Sequence, residues 1–414
     1  MSAVAGSGAL DVLIVGGGPV GACLGALLLR TAAPHPARLS VAILEPSRPA
    51  LPDAAAPLDA RVSALSRASE RILARAGAWD RIAGPRVQAY ERMRVWHRTI
   101  PSSSPDVLVF DAACAGEPDL GHIAENRLVQ AALLAAFEER GGQLIAGELS
   151  GVRIADGGVD VESTVGRFSA RLLVGADGAR SAVRDAVGLT AETTSYRQRA
   201  IVANVATERP HERTAWQRFL GTGTLAFLPL AEGSSSIVWS ADESAAHTLL
   251  AATGPQFEQA LEHESDAALG SVRLLTERVS FPLQRLAAHR YTAHRAALIG
   301  DAAHVIHPLA GQGVNLGLLD AAALAQVIAQ GVREREDPGA ERNLRRYERW
   351  RKSETEVMAL ATQAFDRLLA HGSGPLARLA QRGLGWVNRS EELKRIFIVR
   401  ALGLTGELPD AARG

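Results

Sequence analysis

The chain has 414 residues, enough for two packed domains rather than one small core. Lys plus Arg (45) equals Asp plus Glu (45), so the formal net charge is +0 and nothing in the balance argues for nucleic acid. The two cysteines, Cys23 and Cys114, are too few for a disulfide framework and fit a reducing cytoplasm.

The N-terminus has no basic region ahead of its apolar run, so no secretory signal is expected. Residues 11–15 read as a buried strand, followed by G-x-G-x-x-G at Gly16, Gly18 and Gly21 and a helix from Pro19 to Arg30. A second strand over 40–44 ends at Glu45, where dinucleotide folds hold a ribose diol. The competing reading of the glycines is a tight turn in some other α/β protein. Residues 10–29 are apolar enough for a membrane span, but Asp11 and the Gly16–Pro19 interruption argue against one.

Further along, a helix is expected near 69–76 and strands within 86–114. Residues 125–140 read as a helix stopped by Gly141-Gly142, and 152–163 as a hairpin about Gly157-Gly158. A strand over 171–174 runs into Asp177-Gly178, with a short helix from Ser181. From 191 to 290, short alternating runs at 201–205, 224–228 and 236–240 predict an antiparallel sheet, with a helix over 256–269. Gly300-Asp301 then precedes a second glycine-rich block from His307 to Asp320, including Gly311, Gly313, Val314 and Asn315 and opening into a helix over 318–328. Such a turn offers backbone close to a ligand and presents free N–H groups at a positive dipole end. Asp337-Pro338-Gly339 breaks the pattern before a long charged helix over 340–369. Internal repeats are not evident.

Two glycine-rich strand-to-helix turns, far apart in sequence, point to one long cofactor held at both ends. The block from His307 to Asp320 resembles the signature of the ubiquinone-biosynthesis hydroxylases, flavin-dependent aromatic monooxygenases with the para-hydroxybenzoate hydroxylase fold. The resemblance extends to Asp59–Ser66, Ala124–Leu128, Gly175–Ser181, Gln217–Leu220 and Phe227–Leu230. Departures occur at Trp96-His97 and Ser353-Glu354, which bear on ring-position specificity.

The resemblance implies an α/β fold with a discontinuous, Rossmann-like FAD domain (1–85, 115–190 and 291–336). An inserted α+β substrate domain with an antiparallel sheet (86–114 and 191–290) and C-terminal helices (340–414) complete it. It implies FAD, with NADH or NADPH as transient donor and O2 as co-substrate, acting through a C4a-hydroperoxyflavin on the ring of a polyprenylated phenol. Asp301 should bind the ribityl chain, and the N–H groups around Gly313, Val314 and Asn315 should face the flavin pyrimidine. Asp177 and Gly178 form the shared flavin and NAD(P)H motif, while Arg61 and Arg127 suit pyrophosphate or adenosine. Ordinary surface salt bridges are the alternative for both arginines.

His304 and His307 are weak candidates for proton transfer, with satisfied structural side chains as the alternative. No cluster has zinc or iron spacing, and no Gly-x-Ser-x-Gly elbow occurs, so neither a metal nor an acyl-transfer nucleophile is expected. A water-insoluble substrate favours a biosynthetic complex or peripheral contact with the inner face of the membrane from the cytoplasm. The basic and apolar stretch 394–402 suits that contact, or else a buried last helix. A same-fold hydroxylase of soluble aromatics and an idle flavin-bound scaffold are the competing functions.

Overall fold

The breaker-free run Leu10–Val15 forms strand β1, fully buried over Val12–Ile14, and helix α1 (Pro19–Thr31) packs back onto it. The computed structural model describes residues 9–31, 39–53, 55–306, 313–365 and 390–413. His307 and Gly311 therefore lie outside the described residues. Strand β2 (Val41–Leu44) pairs parallel with β1, Val12 beside Val41. Parallel β8 (Gln143–Ile145) extends that side. On the other side of β1 lie β11 (Gly166–Gly175) and then β19 (Ala296–Leu298), both parallel. The hairpin β9 (Leu149–Ala155) and β10 (Gly158–Ser163) grows from β11, and β18 (Thr292–Ala293) closes the far edge. The order β8-β2-β1-β11-β19 reverses direction at β1. Ligands bind at such a switch point, beyond the carboxyl ends of the strands. Residues 10–29 are thus a strand, a turn and a helix, not a span.

A three-stranded antiparallel sheet, β3 (Val62–Leu65), β7 (Gly121–Glu125) and β4 (Gln88–Tyr90), stands beside this layer. Helix α4 (Asn126–Glu139) packs on its β7, and α2 (Arg67–Ala76) and α3 (Trp79–Ile82) pack on α4.

The second large sheet runs β20 (His304–Val305), β17 (Val279–Ala288), β12 (Ala191–Thr207), β15 (Ser235–Asp242), β14 (Gly223–Pro229), β13 (Thr214–Phe219), β5 (Arg92–His97) and β6 (Leu108–Asp111). Strand β16 (Val272–Leu274) adds to β12. Of the segment 86–114, β5 and β6 enter this sheet while β4 goes to the small one. One face buries Ile201, Phe227, Ile237 and Trp239 against α6 (Glu243–Ala251) and α7 (Gly254–Glu264). The other face turns Ala215, Leu228 and Val238 toward Ala64 and Ile123 of the small sheet.

The short helix α5 (Ala182–Ala186) packs on β9 and β11, and α8 (Gly313–Arg333) packs on α1 and is followed by the long α9 (Glu341–Phe365), which packs on α8. By length and hydropathy α8 suffices to cross a membrane, yet 78% of its apolar window is buried inside the protein. It is a core helix. In the last helix, Glu391–Ala401, Ile398 is buried, as is Leu402 just beyond it, while Arg395 and Arg400 are exposed. The described apolar side chains of 394–402 therefore favour the buried-helix alternative.

Candidate active site

Three glycines at the end of β1 do different work. Gly16 has φ +100, and a Cβ there would lie 2.4 Å from the Ala176 carbonyl oxygen. A Cβ on Gly21 would come within 2.0 Å of the Gly16 oxygen. Both positions are dictated by the protein's own turn and helix–strand packing. Gly18 is different: nothing lies within 4 Å of its Cβ position, so the space beside it is open to a ligand. Glu45, at the tip of β2, accepts the Gly17 N–H at 2.6 Å and bonds Ser47, while the Gln130 amide donates to the Gly17 oxygen at 3.0 Å. The loop is thus braced from both sides with its outer face free. Arg127 is exposed in the first turn of α4, and Arg61 is exposed with its guanidinium 6.0 Å from the Phe281 ring across the domain boundary.

β11 delivers Asp177. Its carboxylate accepts the Ser181 hydroxyl at 2.5 Å and the Val183 N–H at 3.0 Å, capping α5. Gly178 follows at φ +80 with open space around its Cβ position. Buried Arg184 reaches from α5 to the carbonyls of Ala179 and Ala302, tying this loop to the Gly300–Ala302 turn at the end of β19. Asp301 projects from that turn and makes no hydrogen bond among the described residues. It keeps solvent exposure while protein crowds its carboxyl. Desolvation pushes its pKa up, negative Asp320 adds to this, and His304 opposes it.

The first N–H groups of α8, at Gly313, Val314 and Asn315, have no intrahelical acceptor. Among the described residues no atom lies within 4 Å of a Cβ on Gly313. Sequence reading valued Asn315 for its backbone; its buried side chain is also a clamp. It accepts from Ser66 N–H (3.0 Å) and Ser69 hydroxyl (2.6 Å) and donates to the Ala64 oxygen (2.8 Å). His304 is buried, its Nε2 lying 2.5 Å from Asp320.

Toward the substrate sheet, Val202, Val238, Ala226 and Gln217 form one cross-strand row, with Asn204, Ser236 and Leu228 in the next. This face sets apolar Val202, Ala226, Leu228 and Val238 beside the polar side chains of Gln217, Asn204 and Ser236. The loop 53–61 in front of it is fixed by Arg86, whose buried guanidinium holds Glu125 at 2.7 Å and three loop carbonyls. Arg86, Gln130, Arg184, Asp320 and Arg351 escaped sequence reading because each acts through partners distant in the chain. Among the described residues one His/carboxylate group comes together: ligand atoms of Glu70, Asp119 and His122 lie within 4.8 Å of one another. Arg67 already supplies a cation there, 2.5 Å from Glu70.

These features fit FAD. An elongated dinucleotide needs open backbone at both ends and donors for its anionic parts. Gly18, Gly178 and Gly313 leave that room, and α1 and α8 point their N-termini into it.

The family model described as FAD binding domain matches residues 9–361. Ubiquinone hydroxylase UbiL of Rhodospirillum rubrum is 38% identical, covering 98% of this chain and 92% of the relative. The 3-demethoxyubiquinol 3-hydroxylase of Escherichia coli is 34% identical, covering 95% and 98%, respectively. Human ubiquinone biosynthesis monooxygenase COQ6, mitochondrial, is 32% identical over 93% and 90%. Among solved structures, PqsL of P. aeruginosa with 2-aminobenzoylacetate has TM-score 0.75 at 22% identity, over 92% of this chain and 100% of that one. The p-nitrophenol 4-monooxygenase PnpA from Pseudomonas putida has TM-score 0.74 at 20% identity, over 96% and 99%. At such identities the two structures speak to the fold. The chain belongs to the FAD binding domain family and, within it, to the ubiquinone-biosynthesis hydroxylases, which are FAD-dependent aromatic monooxygenases.

Proposed function

We propose that this enzyme hydroxylates the aromatic ring of a polyprenylated phenol in ubiquinone biosynthesis, drawing electrons from NADH or NADPH and oxygen from O2. The observation that carries the reading is the start of α8, clear of described neighbours at Gly313 and tied through Asn315 to Ala64, which packs with Ala215 and Leu228 of the second large sheet. FAD, when bound, supplies the oxygen-transfer chemistry; the protein supplies position, electrostatics and exclusion of water. Glu45 is assigned to the ribose, Arg61 and Arg127 to the pyrophosphate or adenosine, and Asp301 to the ribityl hydroxyls. The first N–H groups of α8, at Gly313, Val314 and Asn315, stabilise negative charge at the ring's pyrimidine edge. The row around Val202, Val238 and Ala226 presents an apolar wall to an aromatic ring.

A prenyl tail sits poorly in water, so we place the enzyme at the cytoplasmic face of the membrane, with Lys394, Arg395 and Arg400 toward anionic headgroups and other quinone-biosynthesis enzymes as neighbours. Co-sedimentation with phosphatidylglycerol vesicles but not phosphatidylcholine vesicles is the expected result; equal behaviour with both removes the membrane assignment. The catalytic reading is tested by complementing strains each lacking one ring hydroxylase. Restored ubiquinone in at least one strain supports it. Failure in all, with coupled hydroxylation of simple phenols by purified enzyme, assigns the enzyme to soluble aromatics instead.

A further inference from the structure

Two turns along α8 from Gly313 stands Asp320, fully buried, on which three separate segments converge. One carboxylate oxygen accepts the Gly300 N–H at 3.0 Å and lies 2.5 Å from His304 Nε2; the other accepts Arg351 Nε at 2.8 Å. His304 and Arg351 are themselves 4% and 2% exposed, so the group is sealed from water. Gly300 immediately precedes Asp301 and has φ +58, so the direction in which Asp301 leaves the turn depends on how that peptide is held. Packing at this point is close. A Cβ on Gly317 would lie 2.5 Å from Val20 and 3.3 Å from the Gly300 Cα, so the start of α1, the turn and α8 meet there.

We propose that Asp320, held by Arg351 and His304, is a positioning residue for FAD: it fixes Asp301 relative to the open N-terminus of α8. The inference rests on the proposed assignment of Asp301 and the α8 N-terminus to FAD; these two lie on different segments, and the Asp320 side chain joins them. A brace needed only for stability would be served as well by apolar packing, since a buried ion pair seldom stabilises more than well-fitted hydrocarbon. Arg351 even leaves Nη2 buried without a hydrogen-bond partner among the described residues. What the ion pair adds is direction: one backbone N–H, one imidazole and one guanidinium hold the carboxylate from three sides. In this arrangement His304 donates to Asp320 and acts through it, not on substrate.

The test measures FAD dissociation constants of apoprotein by fluorescence quenching, visible circular dichroism of the reconstituted flavin, and apoprotein Tm. Asp320→Asn is expected to weaken FAD binding at least tenfold and alter the flavin dichroism. Tyr347→Phe is the neighbouring control, losing a buried hydrogen bond to the Leu298 oxygen without touching the turn. It should lower Tm while leaving FAD affinity within twofold. His304→Leu is expected to weaken FAD about tenfold, and His304→Gln, which retains a donor, to restore affinity to within threefold. These two decide the matter should Asp320→Asn fail to fold. The proposal is overturned if Asp320→Asn or His304→Leu lowers Tm yet binds FAD within twofold of wild type with unchanged dichroism. It is equally overturned if His304→Gln is as defective as His304→Leu.

Discussion

At the scale of single residues, the glycines of the first loop separate what the fold requires from what the ligand requires. Gly16→Val drives a β-branched side chain into the Ala176 carbonyl at a positive φ, so little folded protein is expected. Gly18→Val meets open space in the protein alone and should fold, with FAD binding weakened at least tenfold as read by flavin content after gel filtration. Recovery of fully flavinylated Gly18→Val would place the pyrophosphate elsewhere. Asp301 makes no hydrogen bond among the described residues, so Asp301→Ala leaves no protein partner stranded. If Asp301 holds the ribityl chain, the loss of one or two charge-assisted bonds, roughly 1.5–3 kcal/mol each, lowers FAD affinity by an order of magnitude or more. An unchanged dissociation constant in folded Asp301→Ala would remove that role. The residues of the loops were legible because glycine spacing and an acidic strand tip are local signals. His304 was marked from the sequence as a weak proton-transfer candidate; its buried contact with Asp320, far along the chain, was beyond any local pattern.

At the scale of elements, α8 is placed by side chains whose partners lie far away in sequence. Asn315 reaches Ser66, Ser69 and Ala64, joining the helix start to β3 and α2. Asn315→Leu strands two donors and one carbonyl in a buried setting and should lower unfolding free energy by on the order of 2–4 kcal/mol in chemical denaturation of the apoprotein. A change below about 0.5 kcal/mol would mean that water replaces the amide freely. Strands were readable as short apolar runs bounded by polar residues or glycine, as in β12, β14 and β15, which are buried over most of the stretches concerned. Two helices show the limit. The helix expected over 256–269 stops at Glu264 because Arg218 takes the carbonyls of His263 and Glu264, and Asp266 and Ala267 turn to positive φ. Helix α6 went unread: it is short and follows β15 without a break, and of its apolar stripe Ala245, Ala246, Leu249 and Leu250 only Ala246 is fully buried.

At the scale of the whole molecule, the discontinuous arrangement was readable in outline, because the glycine-rich strand-to-helix motifs are scattered through the chain while the antiparallel strands cluster in its middle. The hidden part was the joinery: β4 sides with β3 and β7, and Arg86 with Glu125 sets the loop between the domains. Electrostatic joinery also gives the stability a pH dependence. Burial would raise the pKa of Asp320, but the charges of His304 and Arg351 and their hydrogen bonds outweigh it and hold the carboxyl below its ordinary value. A depressed folded pKa stabilises the protein above the unfolded value, near 4, and the contribution fades as pH falls through the folded value. Apoprotein Tm should therefore drop on acidification below about pH 4, and less steeply in Asp320→Asn. Parallel slopes for the two proteins would show that Asp320 carries none of the effect.

The central claim is that the open N-terminus of α8 faces the flavin where aromatic hydroxylation occurs. The measurement that reaches it most directly is product formed per NAD(P)H oxidised, on a prenylated phenol, for wild type and Gly313→Val at matched FAD loading. Among the described residues no atom opposes a side chain at Gly313, so a defect there reports on what the space is kept for. The expected result is tight coupling in wild type. In Gly313→Val, FAD is retained through the intact dinucleotide loop while product collapses or hydrogen peroxide replaces it. Coupling in Gly313→Val equal to that of wild type would contradict the placement of the active site.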